Sequence, residues 1–335
     1  MIRVPDYVAS ITPYQPGKPI SELERELGIS GSIKLASNEN PLGPSKAALA
    51  AIKANLKDLN RYPDGGGYYL KAALASKLGV RESHLILGNG SNELLDIAAR
   101  TFLRPGDEAI MAAPSFVVYA MAVRQIGARA VEVPCVNFRH DLAAMANAVT
   151  ERTRMIFIAN PNNPTGTMNS RSEFDAFMDA VPEDIIVVID EAYYEYVENP
   201  EYADSMRHLR LGRNLLILRT FSKIYGLAGL RIGYGVSSTG ILEEMNKIRE
   251  PFNTGTLGQA AALANLTISA TCPACGNKWE IIFDIVSYLW GEINAWAVRT
   301  MHEIHLLAAT YGWREADILA LSAWRRQRYL EMIGV

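Results

Sequence analysis

Three short segments, each following an apolar run, carry side chains that could do chemistry together. In TFSKIYGLAGLRIG, Lys223 comes just after such a run and Arg231 lies further along the same loop. In VVIDEAYYEY the apolar run ends directly in Asp190, and Tyr193 follows it. The segment IANPNNPTG contributes Asn163. An amine, a carboxylate, a phenol and an amide brought together in this way could hold a reactive cofactor at several points at once.

Each of these residues also fits an ordinary structural role when it is taken alone. A lysine such as Lys223 can simply be solvated. An aspartate at the end of a strand, such as Asp190, commonly caps a helix or forms a turn. The Asn and Pro residues around Asn163 are typical of a tight turn. The combination of all three segments favours the chemical interpretation.

Pyridoxal phosphate is a cofactor with these requirements. An amine must bond to its aldehyde and a carboxylate must keep its pyridine nitrogen protonated, so that the ring withdraws electrons. Lys223 and Asp190 supply these two groups. Tyr193 and Asn163 are the candidates for binding the ring oxygen.

The phosphate of such a cofactor needs backbone N–H groups at a helix N-terminus and a cation. The segment GNGSNELL is a glycine-rich turn that begins a helix, and it forms one side of the predicted phosphate site. The loop of Lys223 forms the other side. The predicted phosphate ligands are Gly90, Ser91, Asn92, Thr220, Ser222 and Arg231. In APSFVVYA, Tyr119 is the preferred aromatic to cover the ring and Phe116 is the alternative, although each of them taken alone is more typical of the core than of a cofactor contact.

Short apolar runs alternate with helical segments along the chain. The strands and helices that they predict must position the candidate site. The helical segments include Asn92–Phe102 and Ser172–Ala180. The pattern predicts a three-layer αβα fold around a mostly parallel, seven-stranded sheet, with ligands at the carboxyl ends of the strands. The predicted strands are His84–Leu87, Glu108–Ala112, Ala130–Val133, Met155–Ala159, Ile185–Ile189, Leu215–Arg219 and Ile232–Val236.

Composition narrows the class of protein. The chain has 335 residues, 49% of them hydrophobic, and a formal net charge of -3, which gives no electrostatic reason to expect nucleic acid as a partner. Its three cysteines are too few for a disulfide framework, and no apolar run approaches the length of a membrane helix. We therefore expect a cytoplasmic protein that acts on small molecules, without a nucleic-acid or membrane partner.

The motifs resemble those of the fold type I pyridoxal-phosphate aminotransferases, and among them the histidinol-phosphate aminotransferases. The resemblance covers residues 1 to about 266 and rests on LASNENPLGPS, RYPDGGGYYLKAALA, PNNPTG, DEAYYEY and TFSKIYGLAGLRIG. It implies that Lys223 bonds to the cofactor, Asp190 pairs with the pyridine nitrogen, and Arg231 binds the phosphate. It also implies a homodimer with shared sites, in which Tyr62 reaches the neighbouring subunit's cofactor. Asn38, Glu39 and Asn40 resemble the segment that closes over the substrate, although a plain polar loop is the alternative.

The activity implied by the resemblance is transamination between histidinol phosphate and 2-oxoglutarate, which yields imidazole acetol phosphate and glutamate in histidine biosynthesis. An aromatic aminotransferase or a phosphothreonine decarboxylase of the same fold is the alternative within enzymes. A cofactor-binding but inactive fusion, whose tail is an interaction module, is the alternative from another class.

The C-terminal part of the chain departs from the family pattern. In the family, the chain beyond the position of Leu266 builds most of a small domain that carries an arginine for the substrate carboxylate. Here apolar residues at helical spacing from Trp279 onward predict a small helical module, faintly like phage-tail or injection-system accessory proteins. We therefore expect impaired activity and three parts: an N-terminal arm at 1–45, a cofactor-binding domain at 46–266 and an atypical tail at 267–335. A structural zinc site at Cys272, Cys275, His302 and His305 is a weaker expectation.

Overall fold

The computed structural model describes residues 3–15, 17–271, 278–282 and 285–334, and between 267 and 292 it describes backbone only. The chain divides into two compact units, Met1–Phe283 and Asp284–Val335. This division falls within the predicted C-terminal tail, between residues 283 and 284. The predicted boundaries after residues 45 and 266 stay a prediction.

The first unit is built on a seven-stranded sheet with the strand order β1-β7-β6-β5-β4-β2-β3. β7 runs antiparallel to both of its neighbours, whereas the other neighbouring pairs are parallel. Each predicted strand is present, with ends that differ by one or two residues. The strands are β1 (Leu85–Gly88), β2 (Glu108–Ala113), β3 (Arg129–Pro134), β4 (Thr153–Ala159), β5 (Ile186–Asp190), β6 (Leu215–Thr220) and β7 (Gly233–Val236).

Helices cover the sheet and make it a layered α/β fold, as the alternation of runs predicts. The two helices predicted from the sequence, Asn92–Phe102 and Ser172–Ala180, correspond to the helices Ser91–Phe102 and Arg171–Ala180. The helices of this unit are α1 (Asp6–Ala9), α2 (Ile20–Leu27), α3 (Lys46–Asn55), α4 (Tyr68–Leu78), α5 (Ser91–Phe102), α6 (Val118–Arg124), α7 (Leu142–Asn147), α8 (Arg171–Ala180), α9 (Ser205–Arg210), α10 (Thr239–Ile248) and α11 (Thr256–Ala264).

The central strands are apolar on both faces because both faces are covered. β5 and β6 are buried along their whole length. Alternate residues of the strands, such as Met155 and Phe157 in β4, join Leu94 and Leu95 of α5 and Met245 of α10 in one buried cluster. Burial of this kind contributes about 25 cal/mol per Å² of apolar surface, so the sheet is the rigid part that fixes where its loops begin.

The start of the predicted tail is a strand pair rather than helix. β8 (Thr267–Thr271) and β9 (Lys278–Ile282) pair antiparallel, with Thr267 opposite Ile282. The helical spacing read from Trp279 onward was therefore wrong at its beginning, where the backbone is extended. The predicted knuckle cysteines Cys272 and Cys275 lie outside the described residues.

The second unit consists of helices in its described part, as the apolar spacing predicts. They are α12 (Ile285–Tyr311), α13 (Glu315–Leu319) and α14 (Ala323–Met332). Leu307, Ile318 and Leu330 form a small buried core between them. The buried guanidinium of Arg326 is held by Glu303, with 2.9 Å between Nε and Oε2.

Two further observations concern the predicted partners. Among the described residues, no helix is long and apolar enough to cross a membrane. The same residues contain no cluster of three or more His, Cys, Asp or Glu side chains that could hold a metal ion. His302 and His305 are exposed on α12, and the zinc site remains a prediction because its cysteines fall outside the described part.

Candidate active site

The carboxyl ends of β4, β5 and β6 lie side by side and open onto one cavity of about 220 Å³. Asp190 is the last residue of β5, Lys223 follows the end of β6, and Asn163 follows the end of β4. The cavity is lined by Ser37, Glu39, Ser91, Asn92, Phe116, Tyr119, Ala159, Pro161, Asn163, Asp190, Ala192, Tyr193, Thr220, Ser222, Lys223, Ala228 and Arg231. Most of the residues selected from the sequence are thus brought together.

Asp190 is a buried carboxylate with a donor on each oxygen. Its Oδ2 accepts a hydrogen bond of 2.7 Å from the hydroxyl of Tyr119, and its Oδ1 accepts one of 3.1 Å from the backbone N–H of Ala192. Burial raises the pKa of Asp190, while these hydrogen bonds act in the opposite direction. The side chain therefore presents a fixed carboxylate to the cavity.

Lys223 enters the cavity from the loop after β6. Its Nζ donates a hydrogen bond of 3.0 Å to the backbone oxygen of Ser37, and it lies 5.5 Å from the centre of the Tyr193 ring. Burial lowers the pKa of Lys223, and the nearby positive charge of Arg231 acts in the same direction. A lowered pKa increases the share of neutral amine, which is the form that can attack a carbonyl or accept a proton.

The N-terminus of α5 is open toward the cavity. Its N-cap residue is Gly90, so no side chain satisfies the first backbone N–H groups of the helix. Gly90 has a φ of 75°, a backbone conformation that glycine adopts without strain. A Cβ atom at this position would also lie 2.4 Å from Nη2 of Arg231, so the absence of a side chain leaves room for the guanidinium. Arg231 also donates to the hydroxyl of Ser222 at 3.4 Å. Helix terminus, guanidinium and hydroxyl together make a site for an anion.

A phenol and an amide also line this cavity. Asn38 donates a hydrogen bond of 2.9 Å from Nδ2 to the hydroxyl of Tyr193. Burial raises the pKa of Tyr193, so its hydroxyl stays protonated and able to donate. Asn163 lines the cavity beside it, in the turn after β4.

The two candidate aromatics have different environments. Tyr119 is 1% exposed and its hydroxyl is bound to Asp190, whereas Phe116 is half-buried at the cavity wall. The Tyr119 ring stacks on Phe157 at 5.2 Å, so one of its faces is already used. This geometry favours Phe116 over Tyr119 as the side chain that could cover a flat ligand.

Four predicted residues do not line this cavity, and one of them is Gly90, the residue just before α5. Tyr62 is 82% exposed and stacks on Phe252 at 4.8 Å between ring centres. Asn40 instead anchors its segment, because its Nδ2 donates to the backbone oxygen of Ile224 at 2.7 Å. Asn38 lines an adjoining pocket of about 470 Å³ that shares Pro161, Asn163 and Tyr193 with the first.

Ser37 is a residue of the site that the sequence analysis did not select. Its backbone oxygen reaches Lys223, and it has a φ of 71°, which is uncommon for a residue other than glycine. Asn38 follows with a φ of 51°. The sequence does not indicate that these two successive residues adopt left-handed backbone conformations, so Ser37 could not be selected from it.

Comparisons with known proteins agree with this geometry. The family model for class I and II aminotransferases matches residues 30–271. A histidinol-phosphate aminotransferase of Moorella thermoacetica is 50% identical over 293 residues, which are 87% of this chain and 75% of that protein. One of Idiomarina loihiensis is 53% identical over 298 residues, covering 88% and 77% of the two chains.

A solved structure supports the same assignment. The histidinol-phosphate aminotransferase of Sinorhizobium meliloti, determined in complex with pyridoxal 5'-phosphate, superposes with a TM-score of 0.72 at 32% identity. The match covers 79% of this chain and 71% of that one. Fold and site thus define an aminotransferase of class I and II, and within that class the chain belongs to the histidinol-phosphate aminotransferase family.

Proposed function

We propose that this protein transfers an amino group between histidinol phosphate and 2-oxoglutarate with pyridoxal phosphate as its cofactor. The observation that carries the proposal is that Lys223 and Asp190 share one cavity with the open N-terminus of α5 and Arg231. Amine, carboxylate and anion site are the attachment points that this cofactor requires. The relatives at about half identity are named for the same reaction.

The donor set fits the cofactor. Uncapped N–H groups of α5, the guanidinium of Arg231 and the hydroxyls of Ser222 and Thr220 would hold the phosphate. Asp190 would pair with the pyridine nitrogen, because the hydrogen bonds to both of its oxygens favour the ionised form against the burial that raises its pKa. Asn163 and Tyr193 would donate to the ring oxygen, and Phe116 would pack on the ring face.

When bound, pyridoxal phosphate supplies an aldehyde that condenses with amines and a ring that withdraws electrons from the substrate α-carbon. Lys223 would attach the cofactor through its amine and, when that amine is free, would accept a proton at the substrate α-carbon. Its lowered pKa suits both tasks, because the neutral amine is the reactive form. Asp190 would hold a proton on the pyridine nitrogen.

The segment Ser37–Asn40 would close the cavity over the substrate. Asn38 is bound to Tyr193 and Asn40 to the loop of Lys223, so this segment is tied to two of the catalytic loops. Among the described lining residues Arg231 is the one arginine, and we assign it to the phosphate. We therefore expect weak binding of the carboxylate-bearing substrate, which appears as a high KM for 2-oxoglutarate.

A single assay tests the proposed reaction. The purified chain is mixed with pyridoxal phosphate, histidinol phosphate and 2-oxoglutarate, and glutamate is measured by chromatography. We expect glutamate to form, and to form faster than when phenylalanine replaces histidinol phosphate at the same concentration. Faster turnover of phenylalanine would move the assignment to an aromatic aminotransferase, and an absence of glutamate with both donors would contradict the proposal.

We further propose that two copies share their active sites. The rings of Tyr62, Tyr68 and Tyr69 are all exposed, and a second copy would cover them. Complementation tests this proposal: Lys223→Ala and Tyr62→Ala variants, each impaired alone, are mixed and allowed to exchange subunits. Partial recovery of activity supports sharing, whereas activity equal to the mean of the two variants contradicts it. A cytoplasmic location is also part of the proposal.

A further inference from the structure

Tyr119 is placed to act on Asp190 rather than on the cofactor itself. The two side chains are 1% and 6% exposed, and 2.7 Å separate the Tyr119 hydroxyl from Oδ2 of Asp190. They belong to different elements, since Tyr119 is on α6 and Asp190 ends β5. The hydrogen bond therefore links a helix of one layer to the strand end that carries the carboxylate.

The phenol ring is held on two sides. It stacks on Phe157 of β4, with 5.2 Å between ring centres and 9° between the planes. Phe116 meets it edge to face at 5.7 Å. A hydroxyl on a ring fixed in this way has little freedom to turn from its acceptor, so it fixes the plane of the carboxylate.

The hydroxyl of Tyr119 stays protonated and therefore donates its hydrogen bond to Asp190. Burial raises its pKa well above 10, and the negative charge of Asp190 adds to the effect. The charged and titratable groups around the carboxylate are Glu191, which raises its pKa, and Lys223, which lowers it. The Tyr119 hydroxyl offsets part of the unfavourable burial by favouring the ionised carboxylate.

We propose that Tyr119 is the positioning residue of Asp190, which keeps the carboxylate charged and aimed at the pyridine nitrogen. This inference rests on the proposed function, because it assigns Asp190 to that nitrogen. The backbone N–H of Ala192 occupies the other oxygen at 3.1 Å, so Tyr119 and Ala192 together leave one lone pair of each oxygen for the cavity. Without the Tyr119 hydroxyl, Oδ2 loses its donor and the carboxylate can rotate or take up a proton.

A double-mutant cycle on cofactor affinity tests this role. The dissociation constant of pyridoxal phosphate is measured by absorbance for the parent chain, Tyr119→Phe, Asp190→Asn and the double variant. Tyr119→Phe keeps the ring and removes only the hydroxyl. We expect it to weaken binding about tenfold in the parent background, the size of one hydrogen bond to a charged group. In the Asp190→Asn background we expect a change below about twofold, because the charge that the hydroxyl serves is gone.

A matched control and a spectrum separate positioning from packing. Phe174→Leu disturbs a buried aromatic stack with Phe177 that includes neither Tyr119 nor Asp190, and we expect its effect on affinity to be the same with Asp190 or Asn at position 190. For Tyr119→Phe, the visible band of the bound cofactor should also change its pH dependence relative to the parent, whereas Phe174→Leu should leave that dependence unchanged.

The outcomes of the cycle distinguish two failures. Equal weakening by Tyr119→Phe in both backgrounds, or no weakening at all, would overturn the positioning role and leave the proposed function intact. A parent chain that does not bind pyridoxal phosphate would overturn the proposed function, and this inference would fall with it.

Discussion

The ε-amino nitrogen of Lys223 donates a 3.0 Å hydrogen bond to the backbone oxygen of Ser37, although 186 residues separate the two in sequence. The N-terminal segment thereby reaches the loop after β6 that carries the reactive amine. The same two segments meet again where Asn40 binds the backbone of Ile224. The half-buried amine of Lys223 thus lies under a segment that is tethered at two points.

Replacement of the amine should remove both cofactor attachment and turnover. We expect Lys223→Ala to abolish the visible band of the bound cofactor and to lower transamination by at least about 10³-fold, because a positioned proton acceptor contributes about 10²–10⁴-fold. The matched control is Lys247→Ala, since Lys247 is exposed and paired with Glu244 on α10. A retained band in Lys223→Ala would show that another amine holds the cofactor.

The pH dependence of cofactor attachment should reflect the lowered pKa of Lys223. Only the neutral amine attacks an aldehyde, so attachment should accelerate as pH rises and reach half of its plateau below the ordinary lysine value of 10.5. Stopped-flow absorbance over a series of buffers measures this rate. Nα-acetyl-lysine in the same buffers corrects for titration of the cofactor, and the two curves should differ in midpoint. Identical midpoints would contradict the role of burial.

The phosphate site should discriminate between two forms of the cofactor. We expect Arg231→Ala to weaken binding of pyridoxal phosphate by roughly 10- to 100-fold, the range of hydrogen bonds to a charged group, and to leave binding of pyridoxal nearly unchanged. The control is Arg124→Ala, whose guanidinium forms an exposed pair with Glu132. Equal losses for both ligands would show that Arg231 supports the fold and not the phosphate.

Glu195, whose Oε2 atom is buried, should make stability depend on pH. Burial raises the pKa of Glu195 to about 7, with the charge of Arg219 acting in the opposite direction. Within the part of the chain that the structure describes, its Oε2 has no hydrogen-bond partner. Because the folded pKa exceeds the unfolded value of 4.5, the stabilising contribution is complete below about pH 4.5 and is lost as pH rises through 7.

Urea unfolding at about pH 5 and pH 8 measures this effect. The parent should lose up to about 3 kcal/mol more than Glu195→Gln between the two pH values, since each pKa unit corresponds to about 1.4 kcal/mol. Glu244→Gln is the exposed control and should follow the parent. Parallel curves for the parent and Glu195→Gln would show that the carboxyl is ionised in the folded state at pH 5.

The sheet could be predicted from the sequence because its strands are buried on both faces and so appear as short continuous apolar runs. The predicted ends of the strands also gave the positions of the loops that follow them. Asp190, Lys223 and Asn163 could therefore be placed together at the carboxyl edge of the sheet. The extended backbone of β9 could not be predicted, since a segment of five residues is too short for its periodicity to separate a strand from the start of a helix.

The finer features of the site depend on contacts over long sequence separations. The position of Ser37 rests on two residues with positive φ and on Lys223, none of which a local pattern indicates. The sequence preferred Tyr119 to Phe116 for the face of the ring, but two aromatic residues three positions apart carry no local signal that assigns their roles. The hydrogen bond from Tyr119 to Asp190 and the stack of its ring on Phe157 distinguish the two.

The central claim is that Lys223 and Asp190 bind pyridoxal phosphate and pass an amino group through it. The most direct test follows the absorption spectrum of the purified chain through a single turnover. Addition of pyridoxal phosphate should produce a visible band, and histidinol phosphate should then bleach it to the absorption of the amino form of the cofactor. Subsequent addition of 2-oxoglutarate should restore the band. A band that histidinol phosphate leaves unchanged would contradict the account.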